Sequence, residues 1–466
     1  MSILKRKEMD MTNGSIFKKL IAFAIPLVIA NLLQTAFNLA DTLILGMFAE
    51  NGNDCVGAVS TTAALTNLCI AMFIGLSAGS NVMVARNIGA KNQEGIKRTI
   101  GLSVFLSVYA GIVLVIIGVF CSKYFLQWTG VSQVHFDLAN RYLTIYLCGM
   151  PFIMLYNFCA SILRASGDTF RPMIYITIGG VLNVILNIIL VVFTPLDVEG
   201  VAIATVASNA FAGIACFITL IKSKTDTRFE WKYFRIFKQE LVQLLRIGVP
   251  SGIQICVLSF SNVLVTSAMN ELGILYGPHI ISAYGYSVQI DNIIYVMLDS
   301  IALSAQVFVS QNMGAKQIGR IRKALFVSVG MVSVVGLFLS SLLLVLIKPI
   351  VFAISGDQLV AAASFTRMWV TMFAFLCGIM STFSLSLRGL GKSFVSMMVV
   401  ISCNLVLWVL WLSFVFPLNK TEAMVYIFYP ITWTITITVL GIIFFTTLKN
   451  LQQKFLKEEQ TNLNQQ

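Results

Sequence analysis

Long apolar runs alternate with short polar segments along nearly the whole chain. A helix needs about 20 apolar residues to cross the hydrocarbon core of a bilayer. The runs reach that length, and they are too long for the alternating strands of a β-barrel. We therefore predict twelve transmembrane helices, called spans 1 to 12, at about residues 19–48, 55–82, 97–121, 140–163, 171–193, 200–221, 245–270, 280–308, 321–347, 366–387, 394–416 and 424–448.

The composition agrees with this pattern and excludes several classes of protein. The 466 residues are 58% hydrophobic and 11% charged, with a mean hydropathy of +0.86, whereas about 25% of the residues in soluble domains are charged. A soluble enzyme, a disordered chain and a nucleic-acid binder are thereby excluded. We predict no cleavable signal peptide, because the basic residues Lys5, Arg6 and Lys7 precede a run that becomes span 1.

Basic residues are distributed unequally between the two sides of the predicted spans. One side holds 27 of the 32 Lys and Arg residues, and the other side holds only Lys123, Arg141, Lys348, Arg367 and Lys420. On this assignment no basic residue lies at mid-span. The positive-inside rule then places both termini in the cytoplasm of a multi-pass protein of the plasma (cell inner) membrane.

The second half of the chain repeats the first half. Residues 84–91 (VARNIGAK) match residues 309–316 (VSQNMGAK) at an offset of 225, and residues 163–170 (LRASGDTF) match residues 387–394 (LRGLGKSF) at an offset of 224. The pairs Pro26 and Pro250, and Asn38 and Asn262, are also 224 residues apart. Matches at nearly the same offset, 224 or 225, indicate two homologous bundles of six helices.

The repeat predicts the domain organisation. Six spans per repeat is an even number, so both halves have the same orientation and are related by a pseudo-two-fold axis along the membrane normal. We predict a first lobe over residues 1–221, a cytoplasmic linker over 222–244, a second lobe over 245–448 and a cytoplasmic polar tail over 449–466. A duplicated bundle of this kind is typical of alternating-access transporters.

A polar stripe lies along span 1. Asn31, Gln34, Asn38 and Asp41 are separated by steps of three, four and three residues, which places them on one helix face that should point into the bundle. A carboxylate at mid-membrane costs about 2.5 to 3.5 kcal/mol, so Asp41 requires a function or a partner. Pro26, in the same span, removes one backbone hydrogen bond, so we expect a kink or hinge there.

Spans 5 and 6 offer partners for this carboxylate. Asn183 and Asn187 share a face of span 5, and Thr205 lies in span 6. A carboxylate among amide and hydroxyl oxygens can bind a small hard cation such as Na⁺, or hold a proton. Alternatively, the amides are interhelical hydrogen-bond partners without an ion, each contributing about 0.6 kcal/mol.

Span 8 carries the two other acids that lie well inside the spans. Asp291, Tyr295 and Asp299 step by four along one face. Asp299 lies deeper and is a possible contact for a cationic substrate or a second ion, and a buried structural acid is an equal alternative. Position 265, the counterpart of Asp41, is Val265, so the duplication did not preserve that acid.

Several motifs in order resemble the multidrug and toxic compound extrusion (MATE) transporters over residues 15–448. They are Asn-Leu-Ala-Asp-Thr at 38–42, Asn-Ile-Gly-Ala at 87–90, Gln-Asn-Met-Gly-Ala at 311–315, the Leu-Arg-x-x-Gly pair, Asn183 with a polar residue four positions later, and residues 200–205. The resemblance implies a secondary antiporter that exports organic, often cationic and aromatic, compounds in exchange for Na⁺ or H⁺. It also implies that Asp41, Asn183 and Thr205 match the coupling site, whereas Asn187 stands where relatives commonly have Asp.

Two other functions remain as alternatives. A flippase for lipid-linked saccharides belongs to the same superfamily, but it should show Arg or Lys inside its cavity. A membrane-embedded enzyme would need a catalytic constellation, and the sequence shows neither His clusters nor a Ser/His/Asp set. We therefore expect a transporter that is not an enzyme, requires no cofactor besides the coupling ion and works as a monomer in the lipid bilayer.

The distribution of basic residues generates a topology prediction. In a chain freed of its native cysteines, Gly52→Cys and Lys420→Cys should react with an impermeant maleimide on intact cells. Asn92→Cys, Asp226→Cys and Ile318→Cys should react only after permeabilisation, because their loops lie on the basic side. Labelling of Asn92→Cys from outside would contradict the two-lobe orientation.

Overall fold

The computed structural model describes residues 9–49, 52–129, 131–194 and 196–463, and no strand occurs among them. The basic residues Lys5, Arg6 and Lys7 lie outside the described residues. Within the described ranges, ten helices are long and apolar enough to cross a membrane, and two bent helix pairs supply one further span each. The prediction of an all-helical membrane protein with twelve spans is therefore confirmed.

The helices of the first repeat are α1 (Ile16–Phe48), α2 (Gly52–Gly89), α3 (Gln93–Trp128), α4 (Gln133–Cys148), α5 (Met150–Ala165), α6 (Phe170–Asn187) and α7 (Val198–Ile221). Those of the second repeat are α8 (Lys238–Tyr276), α9 (Pro278–Gly314), α10 (Ile318–Ser355), α11 (Gln358–Thr371), α12 (Ala374–Gly389), α13 (Ser393–Ile401), α14 (Leu407–Leu410), α15 (Glu422–Tyr426) and α16 (Phe428–Leu463). Helix α1 continues through Pro26, so any kink there leaves it unbroken.

The two bent pairs occupy equivalent positions in the two repeats. The chain turns by 47° between α4 and α5 and by 44° between α11 and α12. The first break is at Gly149 and the second at Met372 and Phe373, again 224 residues later. Helix α6 also ends in a π-helical segment, Ile188–Val192, and a similar segment, Trp411–Val415, follows α14. A further π-helical segment, Ser402–Val406, has no counterpart in α6. The repeat thus extends to the bent pairs and to one of the π-helical segments.

The chain forms two compact units whose limits differ from the predicted lobes. The first unit contains residues 9–10 and 25–252, and the second contains Met11–Ala24 and residues 253–463. Helix α8 begins at Lys238, inside the segment predicted as the linker. Helix α16 continues to Leu463, through most of the segment predicted as the polar tail.

Glycine packing explains why the start of α8 belongs to the first unit. Gly75 and Gly79 of α2 face Gly248 and Gly252 of α8, and a Cβ atom added to Gly75 would lie 2.1 Å from the Gly252 backbone nitrogen. Small residues four apart allow two helix backbones to approach this closely. The first half of α8 is therefore held against α2.

Hydrogen bonds between the Met11 backbone and side chains of α9 and α10 explain why residues 11–24 belong to the second unit. The Met11 N–H donates to Gln311 Oε1 at 2.9 Å, and the Met11 carbonyl accepts from Asn312 and from Arg320. Met11 is fully buried, and Ala24 packs with Leu298 in an apolar cluster. These contacts attach the beginning of α1 to α9 and α10.

The glycine contact generates a stability prediction. Gly75→Ala should lower the melting temperature of the detergent-purified protein, because the backbones must separate, at a cost of about 1 to 3 kcal/mol. Gly330→Ala in α10 is the matched control, since an added Cβ there meets no atom within 4 Å. Equal melting temperatures for the two variants would contradict the close helix contact.

Candidate ion-binding and transport site

Asp41 lies in the apolar part of α1 and is held by side chains of α6 and α7. The Asn187 amide donates to Asp41 Oδ1 at 2.5 Å, and the Thr205 hydroxyl is 3.5 Å from Asp41 Oδ2. Asp41 forms no salt bridge with any described residue. Its negative charge therefore meets neutral donors only.

Asn183 also contacts Asp41 in the amide orientation that turns its nitrogen towards the carboxylate, and the Asn183 and Asn187 nitrogens are then 3.2 Å apart. Its nitrogen then donates to Asp41 Oδ1 at 2.6 Å, and its oxygen accepts from the Thr205 backbone N–H at 3.3 Å. The amide orientation is assigned from these hydrogen bonds. The structure thus brings together the four residues that the sequence proposed as a coupling site, Asp41, Asn183, Asn187 and Thr205.

One oxygen in the group has no partner. Asn187 is fully buried, and its Oδ1 accepts no hydrogen bond from the described residues. A buried acceptor without a partner costs about 1 to 3 kcal/mol, so such an atom is expected to meet an ion or a water. Carboxylate, amide and hydroxyl oxygens are the ligands that hard cations prefer. The donor set therefore fits Na⁺, and its carboxylate can equally carry a proton.

A cavity of about 210 Å³ opens beside Asp41. Asn38 and Thr42 of α1 line it together with Thr66, Asn67, Tyr142 and Tyr146, and no Lys or Arg is among its lining residues. Drug-sized ligands commonly occupy about 300 to 1,000 Å³, so this volume suits a hydrated ion or one ring of a larger compound.

Four residues that line this cavity were not predicted from the sequence: Tyr142, Tyr146, Thr66 and Asn67. Tyr142 and Tyr146 are four residues apart, and their rings stack with centroids 5.9 Å apart. This spacing was a usable signal for one shared helix face. Thr66 and Asn67 had no comparable pattern, because neighbouring residues on a helix do not share a face.

The polar stripe of α1 is only partly internal. Asn38 reaches the cavity although its side chain is exposed, whereas Gln34 is exposed and does not line the cavity. The structure thus does not place Gln34 with the proposed coupling residues.

Asp291 in α9 has a partner that the sequence analysis did not provide. Arg367 Nε donates to Asp291 Oδ2 at 2.8 Å, and the Thr371 hydroxyl donates to Asp291 Oδ1 at 2.8 Å. Asp291 and Arg367 are both buried, with exposed fractions of 1% and 6%. Asp291 is therefore neutralised by a fixed internal cation.

The placement of Arg367 corrects the assignment of basic residues. The sequence analysis placed it at the outer end of a span that begins at residue 366, but α11 begins at Gln358, so Arg367 lies well inside a helix. Rings of Tyr284, Tyr426 and Tyr429 lie 5.1 to 5.9 Å from its guanidinium carbon. Aromatic faces stabilise a buried cation at such distances.

The two other candidates predicted in this helix, Tyr295 and Asp299, have different surroundings. Tyr295 is partly buried against an apolar cluster, and its ring lies edge-on to Trp433 at 6.4 Å. Asp299 is exposed and lies beside the Ser381 hydroxyl. The structure therefore brings neither residue into the Asp291 ion pair.

The buried ion pair generates a prediction. Arg367→Met should lower the melting temperature strongly, because a buried carboxylate left without its partner costs about 3 to 5 kcal/mol. The double variant Asp291→Asn/Arg367→Met should recover most of that loss. Arg141→Met is the matched control, because the Arg141–Glu199 pair is largely exposed at its arginine and such pairs contribute at most about 1 kcal/mol. Failure of the double variant to recover would contradict the pairing.

Comparison with known proteins identifies similar chains. The MatE family model matches residues 26–189 and 250–411, one segment in each repeat. The probable multidrug resistance protein YoeA of Bacillus subtilis is 27% identical over 369 residues, which is 78% of each chain. The multidrug export protein MepA of Staphylococcus saprophyticus is 23% identical over 390 residues, or 83% of this chain and 82% of that protein.

The fold has solved counterparts. A crystal structure of a MATE protein in complex with MaL6 superposes with a TM-score of 0.89 at 21% identity, covering 96% of this chain and 100% of that chain. At this level of identity the likeness establishes the fold. The predicted twelve-helix architecture is therefore that of solved transporters.

Proposed function

Because this chain belongs to the MatE family, we propose that it is a secondary antiporter that exports small organic compounds, often cationic and aromatic, in exchange for Na⁺ or H⁺. It acts as a monomer in the plasma membrane, with both termini in the cytoplasm, and needs no cofactor besides the coupling ion. The names of two relatives, a multidrug resistance protein and a multidrug export protein, support a range of small-molecule substrates.

The proposal rests on the surroundings of the Asp41 carboxylate. It is surrounded by Asn183, Asn187 and Thr205, all neutral, and no salt bridge to a described residue balances its charge. A carboxylate in such a site requires a mobile cation or a proton for charge balance. Asp41 is therefore suited to an ion that arrives and leaves.

Exchange follows from this charge balance. When Na⁺ or H⁺ occupies Asp41, the site is neutral and has little attraction for a second cation. When the ion leaves, the charge is restored and can attract a cationic substrate through the adjoining cavity, with Tyr142 and Tyr146 as aromatic surfaces. One carboxylate carries one charge, so Na⁺ and H⁺ compete for it.

The flippase alternative receives no support from this cavity. A site for a pyrophosphate-linked lipid needs Arg or Lys to bind its phosphates. None of the residues that line the cavity is basic. Arg367 does not supply this charge, because it is paired with Asp291.

The test replaces the charge without changing the size of the side chain. Asp41→Asn should reduce ion-driven efflux from ethidium-loaded right-side-out vesicles to the background rate. Insertion and melting temperature should be kept, because neutralising a buried acid relieves its desolvation cost. Parallel assays without Na⁺ and with a protonophore identify the coupling ion.

Asp54→Asn is the matched control for this experiment. Its side chain is about half exposed at the start of α2, so the same substitution should leave efflux unchanged. Full, ion-dependent efflux by Asp41→Asn would refute Asp41 as the coupling residue and leave Asp299 as the remaining candidate.

A further inference from the structure

A second cavity lies where α7 ends and the segment leading to α8 begins. It has a volume of about 690 Å³ and is lined by Lys97 of α3 and by residues 221–226, 228 and 230. It shares no lining residue with the cavity beside Asp41. The transport proposal gives these residues no role.

The cavity carries uncompensated positive charge. Four of its lining residues are basic and two, Asp226 and Glu230, are acidic. Lys97 binds Glu230 at 2.6 Å, so that pair is neutral. Lys222, Lys224 and Arg228 form no salt bridge with any residue that the structure describes. Lys222, Lys224 and Arg228 carry three positive charges, and Asp226 carries one negative charge. This part of the lining, here called the basic wall, therefore has a net positive charge that fits an anion.

Hydrogen bonds within residues 220–229 fix the backbone that carries the basic wall. The hydroxyls of Ser223 and Thr225 are 2.8 Å apart, and those of Thr225 and Thr227 are also 2.8 Å apart. The backbone N–H of Phe229 donates to the Leu220 carbonyl at 3.0 Å and closes the loop. These hydrogen bonds fix the backbone of the turn from which the three basic side chains extend. The conformational entropy lost when they bind a ligand is therefore smaller than it would be in a flexible loop.

Aromatic residues indicate the depth of this cavity. Rings of Phe217, Phe229, Trp231 and Phe234 form a cluster with centroid distances of 5.1 to 6.3 Å. Phe229 is buried, whereas Trp231 is 67% exposed. Exposed tryptophans at the end of a membrane span are typical of the headgroup level. The basic wall therefore lies next to the lipid headgroups, on the side assigned to the cytoplasm.

We propose that this cavity binds the headgroup of an anionic phospholipid. Lys222, Lys224 and Arg228 donate charge-assisted hydrogen bonds to its phosphate oxygens, and Trp231 contacts its glycerol and upper acyl region. Basic pockets on the cytoplasmic side of membrane proteins bind such headgroups. A free phosphate offers the same oxygens but lacks the acyl chains that would contact Trp231, so the lipid is the better fit.

The experiment measures lipid binding by the full-length protein in detergent. Brominated phosphatidylglycerol is titrated in, and quenching of tryptophan fluorescence reports its apparent affinity, with brominated phosphatidylcholine as the zwitterionic comparison. Lys222→Gln/Lys224→Gln/Arg228→Gln should weaken phosphatidylglycerol binding by about tenfold or more. Each basic residue near an anionic lipid adds electrostatic attraction to the binding affinity, and the triple variant removes all three. Trp231→Phe should remove most of the quenching without changing the melting temperature.

The control variant removes the same charge elsewhere. Lys449→Gln/Lys454→Gln/Lys457→Gln neutralises three lysines of α16 and should leave binding within about twofold of the parent. An equal loss with both triple variants would overturn the proposal, because binding would then depend on net charge alone. Displacement of the lipid by millimolar inorganic phosphate would also overturn it, because the site would then recognise free phosphate.

Discussion

A polar group that enters the hydrocarbon of a bilayer must find its partner within the protein, because lipid offers none. The chain meets this requirement for two carboxylates in different ways. Asp291 receives the guanidinium of Arg367 and the hydroxyl of Thr371, which balance its charge permanently. Asp41 receives amides and a hydroxyl, which stabilise the carboxylate but leave its charge uncompensated. This difference separates a structural acid from one that can exchange an ion.

The repeat shows how the two halves diverged. At the shared offset of 224, the counterpart of Asp41 is Val265, and that of Arg367 is Leu143, which is buried in an apolar cluster. Helices α2 and α9 match at the offset of 225, so the counterpart of Asp291 is Thr66, which lines the cavity beside Asp41. Asp41 and Asp291 are therefore each matched by a neutral residue in the other repeat. Asp41 lies beside a cavity, whereas Asp291 lies in an ion pair.

Backbone geometry was conserved more closely than chemistry. The breaks at Gly149 and at Met372 and Phe373 recur at the repeat offset, although the residues differ. A break in a span frees backbone groups that must be satisfied locally, so its position is constrained by the whole bundle. Ser340 illustrates this constraint, because its hydroxyl donates to the Thr371 carbonyl at 2.6 Å, next to the second break.

Hydropathy, charge and spacing along the chain predicted the twelve spans, the duplication and the side-chain faces that bring Asn183, Asn187 and Thr205 towards Asp41. These features follow from local periodicity, since residues three or four apart share a helix face and long apolar runs must cross the bilayer. Only the tertiary structure decided which helices meet. It paired Arg367 with Asp291 and joined the start of α8 to α2 through glycines. It also left Asn187 Oδ1 without a hydrogen-bond partner among the residues that the structure describes. Such contacts join residues that are far apart in the chain, and no local pattern specifies them, because a helix face does not encode which neighbour it packs against.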